Sequence, residues 1–286
     1  MFAESEVRQV DVPGARLQVR TVGAGDPVLL LHGYPQTHAM WAAVVGHLGG
    51  GRRLVMPDLR GYGASLALDG DFTFRAMAAD VVALADELGL ERFHVIGHDR
   101  GARVAHRLAL DAPDRVRSVA LLDILPTLDV WRQMDDRELA LKYFHWTFLA
   151  QPGGLPQRLI GADPQGYLRS TLAGLGATAE MFDPAALGEY LSAADRESVV
   201  DAWCRDYAAA ATTDLEHDEA DLGRTLDIPA LALWGDRGMV ARFDPLATWR
   251  RWFPAVTGQG VAAGHFLVEE RPEVVGPLLD RHLAGA

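Results

Sequence analysis

One stretch constrains this chain more than any other: FHVIGHDRGARVAHRLAL, Phe93–Leu110. Its first half is apolar and β-prone, a Gly-x-x-x-Gly turn follows, and an amphipathic helix comes next. That is the strand–turn–helix layout of a nucleophile elbow, G-x-Nu-x-G, here Gly97-His98-Asp99-Arg100-Gly101. Such elbows usually hold a serine at the centre, and this one holds Asp99.

The rest of the chain fits around that turn. Asp26–Gly33, Arg52–Gly61, Val116–Asp123, Ile228–Asp236 and Val256–His265 read as further strands. Phe72–Leu90 and Arg100–Leu110 have helical spacing, and a last helix carries Pro272 in its first turn. Strands alternating with helices predict an α/β chain with a mostly parallel central sheet covered on both faces. The alternation stops near Leu125 and resumes near Asp227. The intervening residues are rich in Ala, Trp, Tyr and Asp and predict a helical insertion set over the C-terminal strand ends. The expected division is a core of residues 1–124 and 227–286 and a helical cap of residues 125–226.

At 286 residues and 49% hydrophobic content the chain can bury a large core. A net charge of -12 argues against nucleic acid and anionic membranes as partners, and no run approaches membrane-spanning length. The N-terminus has no signal-peptide pattern, so a soluble cytoplasmic protein is expected. Cys204 is the one cysteine, which excludes an intramolecular disulfide and a cysteine-cluster metal site. There is no GxGxxG or Walker loop, so nucleotide binding has no support, and hydrolysis through an aspartyl ester needs no metal or organic cofactor.

A carboxylate attacking an acyl carbon would form an anhydride, a poor route for ordinary esters. Displacing a leaving group from an sp3 carbon forms instead an alkyl ester of the enzyme's aspartate, which water can cleave. Asp99 therefore points to dehalogenation or epoxide opening. The second step needs a base and an acid that orients it. His265, after the last strand and before the last helix, suits the base. Asp123 and Asp236, each ending a strand, are both candidates for the acid. Backbone N–H groups of Tyr34 and Arg100 are placed to hold the oxyanion.

Arg100 follows the nucleophile and Arg103 lies one helical turn on. Two guanidinium groups beside a carboxylate fit the fork geometry of a bound carboxylate, hence an anionic 2-halo acid as substrate. With these residues the sequence resembles the fluoroacetate (haloacetate) dehalogenases of the α/β-hydrolase superfamily. The resemblance rests on HGYPQT (His32–Thr37), GHDRGAR (Gly97–Arg103), LLDILPT (Leu121–Thr127), KYFHW (Lys142–Trp146), CRDYAAAATTD (Cys204–Asp214) and GHFLVEERP (Gly264–Pro272). It runs through core and cap. GHD alone is shared with epoxide hydrolases and haloalkane dehalogenases, which commonly carry Trp where this chain has Arg100.

The resemblance implies an α/β-hydrolase fold, Asp99 as nucleophile, His265 as water-activating base and Asp123 as acid. It implies Arg100 and Arg103 as carboxylate ligands and His145, Trp146 and Tyr207 as a halide pocket, and it allows a homodimer. Imidazole, indole and phenol are three uncharged donors suited to a departing fluoride. One departure stands out: Leu175 lies where the family tends to carry a tryptophan, which would widen the acid pocket.

The plainer readings are that Arg103 makes a structural ion pair, that His145, Trp146 and Tyr207 are core packing, and that His32 and His98 brace loops. Epoxide hydrolysis is the competing enzyme reading, with Tyr143, Tyr167, Tyr190 and Tyr207 as sources of a proton donor. A ligand receptor that keeps the site for binding alone is the competing non-enzyme reading.

Overall fold

The computed structural model describes Phe2 and residues 4–286. Among these residues nine strands form one sheet: β1 (Ser5–Val12), β2 (Ala15–Gly23), β3 (Asp26–Leu31), β4 (Arg52–Pro57), β5 (Leu66–Ala67), β6 (Phe93–His98), β7 (Val116–Leu122), β8 (Ala230–Gly235) and β9 (Thr257–Val261). Their order is β1-β2-β4-β3-β6-β7-β8-β9, with β5 paired to β2. From β4 to β9 every pairing is parallel, while β1 and β2 are antiparallel to each other and β2 to β4.

The central strands carry the apolar runs because both of their faces are covered. Every residue of β6 is buried, and so are Val28–Leu31 and Leu54–Pro57. The helix Arg100–Asp111 packs on β6 and β7, and its neighbour Phe74–Glu87 starts at Thr73, whose side chain accepts the Ala76 N–H. The closing helix spans Pro272–Ala284.

The strands β1 and β2 have no counterpart in the apolar runs. β1 reads SEVRQVDV and buries only Val10 and Val12. An edge strand with one half-covered face alternates instead of running apolar, so its signal is weak.

The chain between β7 and β8 is helical. Helices include Thr127–Arg132, Arg137–Lys142, Phe144–Leu149, Pro164–Gly174, Pro184–Ala194 and Glu197–Ala210. This segment is joined to the rest by buried polar bonds. The Phe74 N–H donates to Asp214 (3.0 Å), the Tyr190 hydroxyl to Glu269 (2.9 Å) and the Tyr62 hydroxyl to Asp206 (2.6 Å).

Candidate active site

Asp99 stands at the end of β6 with φ +48°, a conformation that favours glycine and here places its carboxylate above the sheet. The turn works only with small flanking residues. A side chain on Gly101 would run into the carbonyl oxygens of Leu31 and His32, and one on Gly97 would strike the backbone of Gly101 and Ala102. Gly33 lies against the Asp99 side chain itself. The next residue, Tyr34, donates its backbone N–H to Asp99 Oδ1 at 2.8 Å. No matching bond from the Arg100 N–H to Asp99 is formed among the described residues.

The end of β7 supplies a second unusual turn, with Asp123 at φ +51°. Its Oδ1 accepts the Gly235 N–H (2.9 Å), and its Oδ2 lies 2.6 Å from Nδ1 of His265. The pairing fixes the proton on Nδ1 and leaves the Nε2 lone pair directed to Asp99. Nε2 is 3.9 Å from Asp99 Oδ2, beyond a hydrogen bond. His98 steadies the backbone here by donating from Nε2 to the His265 carbonyl (2.9 Å). Asp236, the other acid candidate, is exposed, so Asp123 is the carboxylate that the fold brings to His265.

Burial favours the neutral form of every group here, and neighbouring charges override it at Asp99 and His265. Burial raises the proton affinity of Asp99, but His265, His98, Arg100 and Arg103 outweigh it and bring the pKa down to about 2. His265 is opposed by burial too, and the Asp123 bond with the charges of Asp123 and Asp99 raises its pKa above the ordinary 6.5. Burial brings His98 down to about 4 and His145 to about 3, so both rings are neutral.

The two arginines are used differently. Arg103 borders the chamber next to Asp99. Its Nη1 donates to the Leu125 carbonyl (2.9 Å) and Thr127 hydroxyl (3.1 Å), its guanidinium lies 4.6 Å over the Trp146 ring, and its Nε is buried without a partner. Arg100 does not border the chamber as expected. Its Nε donates to Asp206 Oδ2 (2.9 Å), and its Nη2 bonds both the carbonyl (3.0 Å) and Oδ1 of Asp206. The guanidinium is stacked 4.1 Å from Tyr207 and 4.6 Å from Phe74, and only Nη1 is left unpartnered. The expected pair of forks facing one carboxylate is therefore not formed. The reason is the wholly buried Asp206, which neutralises the buried Arg100 charge. The sequence reading missed Asp206. A fully buried guanidinium needs a carboxylate, and the residue before Tyr207 was an available one.

The helical segment supplies the remaining walls. His145 and Trp146 border the chamber, together with Tyr143 and Leu175. The Tyr34 ring stacks on His145 at 5.7 Å and meets Tyr207 edge-on at 5.1 Å. Tyr207 lies behind these rings and does not border the chamber; it is fully buried, and its hydroxyl has no hydrogen-bond partner among the described residues. The free space is about 10 Å³, room for about one water molecule, so only a small ligand fits, and only if the walls adjust. The described residues hold no cluster of His, Cys, Asp and Glu that could bind a metal ion, and no helix long and apolar enough to cross a membrane.

A mostly parallel sheet, a strained carboxylate elbow and an acid–histidine pair at the C-terminal strand ends define a class. The chain belongs to the α/β-hydrolase family, whose profile, described as the α/β hydrolase fold, it matches over residues 26–272. It is similar to a fluoroacetate dehalogenase from Burkholderia sp, 41% identical over 100% of this chain and 96% of that one. The resemblance to the fluoroacetate dehalogenases thus extends along the whole chain. It is also similar to a soluble epoxide hydrolase from Corynebacterium sp. (strain C12), 33% identical over 96% of each chain. A crystal structure of an α/β hydrolase from Nostoc sp PCC 7120 superimposes with a TM-score of 0.96 at 46% identity, covering 100% of both chains.

Proposed function

We propose that the protein is a hydrolytic haloacetate dehalogenase that converts fluoroacetate or chloroacetate to glycolate and halide. The observation that carries this reading is a set of idle donors beside a carboxylate. Arg103 borders the chamber next to Asp99 with its Nε buried and unpartnered, and Arg100 Nη1 and the hydroxyl of Tyr207, whose ring packs on the wall residues Tyr34 and His145, are also buried without partners among the described residues. Burying such donors unpaired is costly, and an anionic substrate with a departing halide would satisfy them. A neutral epoxide has no use for the Arg103 cation, which pairs with no carboxylate among the described residues.

In this mechanism Arg103 takes the substrate carboxylate, and Arg100 Nη1 becomes a second donor when the chamber walls adjust to admit the ligand. Asp99 Oδ1 is held by the Tyr34 N–H, so Oδ2 is the attacking oxygen. It forms a bond to C2 of the haloacetate as the carbon–halogen bond breaks. The halide leaves among His145, Trp146 and Tyr207. His265 Nε2 then takes a proton from water, and the resulting hydroxide attacks Cγ of the Asp99 ester. The oxyanion develops on Oδ1, against the Tyr34 N–H and the N–H of Arg100 at the helix N-terminus. Collapse releases glycolate, whose alkoxide receives the proton from His265, and the Asp99 carboxyl, left holding the hydroxide's hydrogen, loses that proton to solvent and returns to the carboxylate. Forming the ester removes the Asp99 charge, one of the groups that raise the His265 pKa, so the base is more readily neutral when it is needed. Residues 125–226 act as a cap that excludes bulk water from these steps.

Epoxide hydrolysis is the second reading. Tyr143 borders the chamber and could serve as proton donor, and an epoxide hydrolase is among the relatives. Tyr167 and Tyr190 are less available, being bonded to Tyr34 (3.1 Å) and Glu269 (2.9 Å). Halide release with fluoroacetate and chloroacetate, beside hydrolysis of a small neutral epoxide, separates the readings. The expected result is halide from the haloacetates, lost by roughly 10⁴-fold or more in Asp99→Asn. Epoxide hydrolysis with no halide release would replace this proposal by the second reading.

A further inference from the structure

Lys142 is the only lysine in a chain whose other basic side chains outside histidine are all arginine. It ends the helix Arg137–Lys142, just before the chamber residues Tyr143, His145 and Trp146. It also lines both open clefts that adjoin the chamber. One, of about 610 Å³, has Leu141, Phe144, Phe148 and Tyr167 in its walls and shares His145 and Leu175 with the chamber. The other, of about 340 Å³, shares Tyr143 and His265 with it and contains Asp236, Arg237 and Arg242.

The charges in these clefts are not equivalent. Arg237 is paired with Glu270 at 2.8 Å, and Arg242 with Glu138 at 2.6 Å. Glu138 stands four residues before Lys142 on the same helix, where it would ordinarily neutralise the lysine. Arg242 claims it instead. Among the described residues no carboxylate lies within ion-pair distance of Lys142, whose Nζ is 3.4 Å from the Gly174 carbonyl oxygen. In the larger, mostly apolar cleft Glu138 and Lys142 are the only charged lining residues, so its one unneutralised charge is positive. In the smaller cleft the unpaired Asp236 opposes an anion.

We propose that Lys142 captures the anionic substrate at the mouth of the larger cleft and that short monocarboxylates reach the chamber by that route. This rests on the haloacetate reading above. A net charge of -12 repels a carboxylate from most of the surface, so a single local cation between apolar walls has a large relative effect. Lysine also suits the task better than arginine. Its compact, strongly hydrated ammonium attracts a carboxylate without gripping it through a bidentate fork, so the substrate passes on.

The test is kcat/KM for chloroacetate against ionic strength in the full-length enzyme, Lys142→Gln, Lys142→Arg and Asp236→Asn. Lys142→Gln is expected to lower kcat/KM by roughly 3–10-fold at low salt, with the gap closing as salt rises. Lys142→Arg and Asp236→Asn are expected to keep the wild-type salt slope. A Lys142→Gln enzyme equal to wild type at low salt, or a loss independent of salt, would overturn the proposal and leave the dehalogenase reading standing. A wild-type enzyme that hydrolyses a neutral epoxide and releases no chloride would overturn both.

Discussion

The two halves of the site are held by different forces. The sheet-borne half, Asp99, Asp123 and His265, is positioned by the backbone. Two aspartates sit at positive φ on strand ends, and glycines stand where no side chain fits. The helical half, His145, Trp146, Tyr207 and Asp206, is positioned by side chains: ring stacking, a buried ion pair and a cation over Trp146. Backbone placement tolerates few residue types and yields one geometry. Side-chain placement leaves the helical walls freer to adjust, as a chamber with about 10 Å³ of free space requires.

Three substitutions and one titration test that contrast. Asp123→Asn should cost the most activity, roughly 10⁴-fold in turnover, because the amide stabilises the wrong His265 tautomer. The fold should survive, and steady-state halide release reads the loss. Asp206→Asn should act on stability instead. It strands the wholly buried Arg100 charge, and denaturant unfolding should register a loss of about 3–5 kcal/mol. If it costs activity alone, the ion pair does not hold the helical half in place.

Tyr207→Phe removes a hydroxyl that no other group uses, so melting temperature should be unchanged. Defluorination should fall by roughly 10²-fold and dechlorination by less, since fluoride is the stronger hydrogen-bond acceptor. The smallest effect is a shift in pH dependence. His265 in the free enzyme should titrate above 6.5 by NMR, because the Asp123 bond and the Asp123 and Asp99 charges outweigh burial. The base must be neutral, so kcat should rise with pH. Its acid limb should lie below the NMR value, since the ester has removed the Asp99 charge. A limb at or above that value would contradict the ester as the species that His265 serves.

The same contrast explains what the sequence made legible. The elbow was readable because Gly97 and Gly101 are demanded by local geometry, and the central strands because burial on both faces makes them continuous apolar runs. The pairing of Asp123 with His265 was open on spacing alone, since Asp236 also ends a strand. The Arg100–Asp206 pair was not readable, because no periodicity links positions more than a hundred residues apart, and adjacency to Asp99 suggested a different partner. The edge strand β1 and its neighbour β2 carry polar residues on their exposed faces, which breaks the apolar run. The open clefts around Leu175 depend on how separate helices meet, which the chain order does not encode.

The central claim is a covalent ester on Asp99, and His265→Ala tests it most directly. Without its base the enzyme should alkylate and stop. Incubation with chloroacetate followed by intact and peptide mass spectrometry should find one stable carboxymethyl adduct per chain, on the peptide that contains Asp99. Glycolate released with no adduct, or an adduct on another residue, would contradict the account.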